Sequence, residues 1–354
     1  MSDRAWGAAE RALGRARAGI VRTRRGVARP VAAATERVWK PVEAAYERNL
    51  RSEISSPPEH VAIIQDGNRR YARKQGEEVT NGHREGAETT ANVLQWCADL
   101  GVRELTLYAF STENFDRPPG EREALFDLLT EKFHEFADSD QVQENGVCIR
   151  AVGDVGRLPD RVRDAVDYAE RRTADNDTFL LNVALAYGGR HELLEAARGV
   201  ARDVDSGDLD PGAVDAGELE RRLYQRPERA VDLIIRTGGD ERTSNFLPWH
   251  ANGNEAAVFF CAPYWPEFSE TDFLRAVRTY EHREESWRRA RADRALALLG
   301  SLGEAELAEA RQVLTRLRES LPGGVPADVP PAPAEVGEDG TDAAGIDGER
   351  EPAD

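Results

Sequence analysis

Four apolar runs in this chain end in polar clusters whose residue types could do chemistry. Residues 60–65 lead into Asp66-Gly67-Asn68-Arg69-Arg70-Tyr71. Residues 105–110 lead into Ser111-Thr112-Glu113-Asn114-Phe115-Asp116-Arg117-Pro118. Residues 179–186 end in Tyr187-Gly188-Gly189-Arg190, and 232–236 lead through Arg236 into Thr237-Gly238-Gly239-Asp240-Glu241-Arg242-Thr243-Ser244-Asn245. Together they supply an acid, several arginines and backbone amides flanked by glycine. That set suits a diphosphate accompanied by a hard cation. Carboxylate oxygens hold magnesium, and guanidiniums clamp phosphate oxygens in pairs. Glycine lets the backbone come close to the phosphate.

Each signal alone has an ordinary explanation. Asp-Gly-Asn is usually a turn, Arg-Thr-Gly-Gly-Asp is more often a plain loop, and an arginine at a strand end is usually a surface charge. Their joint occurrence at successive strand ends favours the phosphate reading. Other chemistries find no support. No Ser-His-Asp arrangement or phosphate-binding Walker loop occurs. Of six histidines, His134, His191, His250 and His282 have no partner at metal-ligand spacing, and His60 opens an apolar run. The three cysteines, Cys97, Cys148 and Cys261, are far apart and are expected to be buried thiols in a reducing cytoplasm.

The elements that must position these residues alternate. Apolar runs at 60–65, 105–110, 147–152, 179–186, 232–236 and 256–261 are separated by amphipathic stretches near 84–100, 121–138, 159–174, 190–205, 215–224 and 269–290. This pattern predicts an α/β fold, a mostly parallel six-stranded sheet covered by helices on both faces. Such sheets bind ligands at the carboxyl ends of their strands, which is where the polar clusters fall. The predicted organisation is a basic helical extension over 1–55, a catalytic domain over 56–290, a C-terminal helix over 291–322 and an acidic disordered tail over 323–354. The 354 residues carry a formal charge of −18, which argues against nucleic-acid binding, and only Lys40, Lys74 and Lys132 are lysines. An acidic, lysine-poor surface suits a salty cytoplasm. No run of apolar residues is long enough to span a bilayer, so the chain is expected in the cytoplasm. The basic arm offers peripheral contact with an anionic membrane.

Several of these segments carry a family resemblance. His60-Val61-Ala62-Ile63-Ile64-Gln65-Asp66-Gly67-Asn68-Arg69-Arg70 resembles the opening motif of the undecaprenyl diphosphate synthase family of cis-prenyltransferases, in its archaeal form. Gly82-His83-Arg84-Glu85-Gly86 and Leu105 through Asn114 are similar to its next signatures. Asp232-Leu233-Ile234-Ile235-Arg236-Thr237-Gly238-Gly239, Arg242-Thr243-Ser244-Asn245-Phe246 and Tyr264-Trp265-Pro266-Glu267-Phe268 complete the set. The likeness spans about residues 58–285.

The resemblance implies a homodimer that condenses isopentenyl diphosphate onto an allylic diphosphate with Mg²⁺. It makes Asp66 a magnesium ligand at the reaction centre and Glu255 the second ligand. Gly67, Asn68, Arg69, Arg70 and the aromatic Tyr71 would hold the allylic diphosphate, supported by His83. Ser111, Thr112, Glu113 and Phe115 would line the reacting groups. Asn114 falls where the family has a proton acceptor, but an amide is a poor base and is expected to orient water or substrate instead. Arg117, Arg236, Arg242, Thr243 and Ser244 would hold isopentenyl diphosphate. Leu94, Leu125, Leu128, Leu129 and Phe133 are candidates for an apolar tunnel around the growing tail. Val79 stands where the family usually has an arginine, and the Arg-x-Gly close of the domain is absent. The expected product is a long-chain polyprenyl diphosphate, precursor of a lipid glycosyl carrier, primed by geranylgeranyl diphosphate. The alternatives are a short-chain cis-prenyltransferase or one subunit of a heteromeric enzyme.

Overall fold

The computed structural model describes residues 43–223, 229–249 and 256–300. Glu255, His250, the basic arm over 1–42 and the tail from 301 lie outside the described residues. Six strands form one all-parallel sheet: β1 His60–Ile64, β2 Glu104–Ser111, β3 Val147–Val152, β4 Phe179–Tyr187, β5 Leu233–Arg236 and β6 Ala257–Phe260. They lie in the order β3-β4-β2-β1-β5-β6. Among the described residues, nine helices accompany them: α1 over 43–53, α2 Asn68–Gln75, α3 Val79–Leu100, α4 Pro119–Asp138, α5 Asp140–Glu144, α6 Asp160–Arg172, α7 Gly189–Ser206, α8 Ala216–Leu223 and α9 Glu270–Gly300.

The strands are nearly continuous runs of β-branched and other apolar residues because both faces of the sheet are covered. Side chains alternate along β1, so Val61 and Ile63 enter one core with Leu105, Leu107 and residues of α3, α4 and α6. Ala62 and Ile64 enter a second core with Ile234, Phe246 and Tyr187. β1 pairs with β2 on one side and β5 on the other. The chain fills one half of the sheet with β2, β3 and β4 before returning across β1 to lay down β5 and β6. The strand order therefore reverses beside β1, where open parallel sheets form their ligand crevice.

All six strands fall where the apolar runs predict them. Two helical features differ. α3 begins at Val79, a full turn before the amphipathic pattern becomes clear, and the short α2 has no apolar stripe to reveal it. Residues 43–55 also pack on the body: Tyr46 and Leu50 of α1 bury against Leu274, and Glu281 accepts from the Ser55 backbone N–H and hydroxyl. α9 runs unbroken through residue 290 to Gly300. Cys97 is buried as expected, but Cys148 and Cys261 are half-buried. No described helix is long and apolar enough to cross a membrane.

Candidate active site at the carboxyl rim of the sheet

Asp66 leaves the tip of β1 in a backbone held from three directions. Its N–H donates to Ile64 O at 2.9 Å and to Thr237 Oγ1 at 3.0 Å. Its carbonyl accepts from the Thr237 hydroxyl at 2.7 Å and from the Trp265 N–H at 3.0 Å. The carboxylate faces two guanidiniums, Arg236 Nη2 at 2.6 Å and Arg70 Nη2 at 3.0 Å. Partial burial pushes the Asp66 carboxyl pKa up. The Arg236 hydrogen bond and the Arg70 charge outweigh that and leave it below the usual carboxylate range.

Arg236, at the tip of β5, is only 3% exposed. Its Nη1 donates to Arg242 O and Ser244 Oγ, both at 2.5 Å, and its Nη2 also reaches Asp240 at 3.2 Å. One buried arginine thus ties the Asp66 strand tip to the loop carrying Arg242, Thr243 and Ser244.

The other wall is the α2–α3 pair. Gly67 has φ +107°, and a Cβ there would lie 2.7 Å from the Tyr264 ring, so only glycine suits the turn. The spacing of Gly82-His83-x-x-Gly86 has a steric cause: Cβ atoms at Gly82 and Gly86 would lie 2.4 Å from Asn68 O and 2.5 Å from Asn68 Oδ1. Small residues one turn apart on α3 let the first turn of α2, with Asn68, Arg69 and Arg70, settle against it. Trp265 Nε1 locks the contact by donating to Gly86 O at 2.6 Å. Tyr71 turns away from the crevice, and its hydroxyl donates to Glu85 at 2.5 Å, bracing α2 on α3. Burial pushes the His83 pKa down to about 4, helped by Arg117 and Arg69, so its ring is neutral near pH 7. Its Nε2 lies 3.4 Å from Arg117 Nη1, and Glu121 gathers Arg117 at 2.8 Å and Arg69 at 3.4 Å.

Two cavities meet here. A polar one of about 440 Å³ is lined by Arg69, Arg70, Arg73, Arg117 and Arg242, with Asp66 and Asp240. An apolar one of about 130 Å³ lies between α3 and α4 over the sheet, with Ala87, Leu125, Leu128, Leu129, Phe133 and Phe136 in its wall. Gln65, Asn68 and His83 line both. The chain as a whole is acidic, yet five arginines face two aspartates in the polar cavity. Such a cleft concentrates anions.

The structure brings Asp66, Gly67, Asn68, Arg69, Arg70, His83, Arg117 and Arg242 together around the polar cavity. Ser111, Thr112, Glu113, Asn114, Phe115, Thr243 and Ser244 do not line it. Asn114 Oδ1 accepts the Ser111 N–H at 3.0 Å in a capping box, so its acceptor oxygen holds the turn. Phe115 packs edge-on against Phe110 with Arg157 over its ring, and Leu94 lies in the core away from the apolar cavity. Gln65, Arg73 and Asp240 join the site without having been singled out by the sequence. Arg73 had a signal, since it lies one helical turn after Arg69. Among the described residues no three acidic, histidine or cysteine side chains could jointly hold a metal. A single strand-tip carboxylate beside an arginine-lined cavity fits a magnesium ion that takes most of its ligands from phosphate and water.

A diphosphate-sized polar crevice opening into an apolar cavity, at the switch point of a parallel sheet, defines an α/β transferase for substrates with a phosphorylated head and a hydrocarbon tail. The family model described as "Putative undecaprenyl diphosphate synthase" matches residues 64–288. The chain is 65% identical to the tritrans,polycis-undecaprenyl-diphosphate synthase (geranylgeranyl-diphosphate specific) of Halobacterium salinarum, over 81% of this chain and 94% of the relative. Identity to the protein of the same name from Haloarcula marismortui is 63%, over 79% and 92%. Among solved structures, lavandulyl diphosphate synthase from Lavandula x intermedia, in complex with dimethylallyl diphosphate, superposes with a TM-score of 0.59 at 33% identity. That match covers 63% of this chain and 95% of that one. The chain belongs to the undecaprenyl diphosphate synthase family and is a cis-prenyltransferase.

Proposed function

We propose that this enzyme takes geranylgeranyl diphosphate as primer and adds isopentenyl units to make a long-chain polyprenyl diphosphate, the precursor of a lipid glycosyl carrier. The observation that carries this reading is the junction of the two cavities at Gln65, Asn68 and His83. It suits a diphosphate head on the polar side and a prenyl tail on the apolar side. The primer specificity is that named for the Halobacterium salinarum relative.

In this reading Gly67, Asn68, Arg69 and Arg70 grip the allylic diphosphate, with neutral His83 accepting from a neighbouring donor. Arg117, Arg236, Arg242, Thr243 and Ser244 receive isopentenyl diphosphate, and Ser111, Thr112, Glu113 and Phe115 close the space between them. Asp66 and Glu255 would hold Mg²⁺, which neutralises charge on the departing diphosphate. The arginines stabilise the same growing charge. Asn114, with its oxygen engaged in the turn, orients rather than deprotonates, and the diphosphate leaving group takes the proton. Homodimerisation and peripheral contact with anionic membranes through the basic arm belong to the same reading. Light scattering and vesicle sedimentation test them.

The decisive experiment incubates purified protein with radiolabelled isopentenyl diphosphate and dimethylallyl, geranyl, farnesyl or geranylgeranyl diphosphate, then separates products by length. Long products from geranylgeranyl diphosphate are expected. Products one or two units longer than the primer would show a short-chain enzyme, and no product from the purified chain would show that it needs a partner subunit. Chelation should abolish turnover, and added Mg²⁺ should restore it.

A further inference from the structure

The loop after β5 carries three residues assigned above to isopentenyl diphosphate, yet its own backbone is strained. Ser244, Asn245 and Leu247 have φ of +48°, +60° and +49°. Non-glycine residues hold that conformation only where their surroundings over-determine it. Arg236 holds the loop at Ser244, and Phe246 holds it further on by stacking on Tyr108 with ring centroids 4.5 Å apart. Between them stands Asn245, the residue type other than glycine that best tolerates this region.

Asn245 reaches across to the start of α7. Its carbonyl accepts the Gly189 N–H at 2.8 Å and its Oδ1 accepts the Arg190 N–H at 2.9 Å. α7 needs these acceptors, because its own N-cap position is Gly188, which has no side chain to offer. A Cβ at Gly188 would lie 3.2 Å from Asn245 Nδ2, and one at Gly189 would lie 2.1 Å from Pro248 Cδ. The two glycines therefore let the loop sit close against the helix start. We infer that Asn245 is a positioning residue for the isopentenyl diphosphate site. By capping α7 from a loop 55 residues away in sequence, it fixes where Arg242, Thr243 and Ser244 present their donors.

This inference rests on the assignment of that loop to isopentenyl diphosphate, so its test carries Arg236→Ala as a control. Asn245→Gly keeps the backbone conformation and removes Oδ1. Arg190→Pro removes the N–H that Oδ1 accepts, at a position in the first helical turn where proline is tolerated. Each should raise the KM for isopentenyl diphosphate about fivefold, the effect of one lost capping bond, and leave the KM for the allylic primer unchanged. The double variant should be no worse than either single, since all three lack the same bond. If Arg236→Ala raises that KM while Asn245→Gly does not, the inference is overturned and the site assignment stands. Additive effects in the double variant, or an equal rise in both KM values, also overturn it. If Arg236→Ala leaves the KM for isopentenyl diphosphate unchanged, the site assignment fails and the inference with it.

Discussion

The two guanidiniums that hold Asp66 differ in freedom: Arg236 is 3% exposed in its side chain, whereas Arg70 is 37% exposed. Arg236 is fixed by Ser244, Asp240 and the Arg242 carbonyl as well as by Asp66. Arg70 can therefore turn freely to an incoming phosphate, whereas Arg236 would meet one from a fixed position, exchanging one of these partners for it. Removing one partner of a buried ion pair ordinarily costs about 3–5 kcal/mol because a charge is stranded. Here Asp240 would still face Arg236, so Asp66→Ala should cost much less stability than activity. Turnover is expected to fall by about a thousandfold or more, with a melting temperature within a few degrees of the parent. Unchanged turnover would remove Asp66 from the reaction centre.

His83 predicts an acid-side instability. Its ring has a pKa near 6.5 when unfolded and about 4 in the folded chain, lowered first by burial and then by Arg117 and Arg69. Between those values the unfolded chain binds a proton that the folded chain does not, so stability is full above pH 6.5 and declines as pH falls toward 4. The slope should be less than about 1.4 kcal/mol per pH unit, the limit for one proton. Urea midpoints measured from pH 7 to pH 5 should drop less steeply in His83→Gln. Equal slopes in the two proteins would show that His83 titrates alike in the folded and unfolded chain.

The sequence and the structure agree where local signals are dense. Burial on both faces forces the strands to be unbroken apolar runs, so all six can be read directly, and the strand-tip rule then locates Asp66, Arg70 and Arg236. What escaped reading depends on three-dimensional approach. α2 is short and polar because its task is to present Asn68, Arg69 and Arg70. No periodicity announces it, and only the glycines at 82 and 86 on α3 show how close it lies. Asn114 and Tyr71 sit in strongly patterned segments, but their polar atoms are spent on the Ser111 N–H and on Glu85. Spacing cannot tell a side chain that faces the crevice from one that secures its frame. Asp240 illustrates the converse, an acid inside a loop motif that matters because β5 delivers it opposite Arg70 and Arg236.

Glu192 makes a prediction of opposite pH sense. Burial pushes its carboxyl up to about 8, although the Tyr187 hydroxyl 2.5 Å away acts to lower it. The folded chain therefore keeps a proton that the unfolded chain has released, and stability falls as pH rises from about 5 to about 8. Glu192→Gln preserves an acceptor for Tyr187 and cannot ionise. Its melting temperature should match the parent near pH 5 and exceed it by a few degrees at pH 8.5, where about 1 kcal/mol corresponds to about 2–4 °C. If the parent remains the more stable at pH 8.5, the carboxylate is better solvated or better paired than its position beside Tyr187 indicates.

The apolar cavity admits a direct choice between tail tunnel and ordinary core. Ala87 on α3 faces Leu128, Leu129 and Phe133 of α4 across it. Ala87→Phe would fill that space with a ring, and overpacking costs about 1–3 kcal/mol where no room exists. If the cavity houses the growing tail, the variant should yield shorter products. The KM for isopentenyl diphosphate should stay near the parent value, because Ala87 does not line the polar cavity. Leu129→Ala, which widens the same space, should shift products to greater length or broaden their distribution. Core packing alone predicts lower melting temperatures in both variants with the product pattern unchanged, so chain-length analysis of the two decides the matter. Opposite movements of product length can arise only if the hydrocarbon itself runs between these helices.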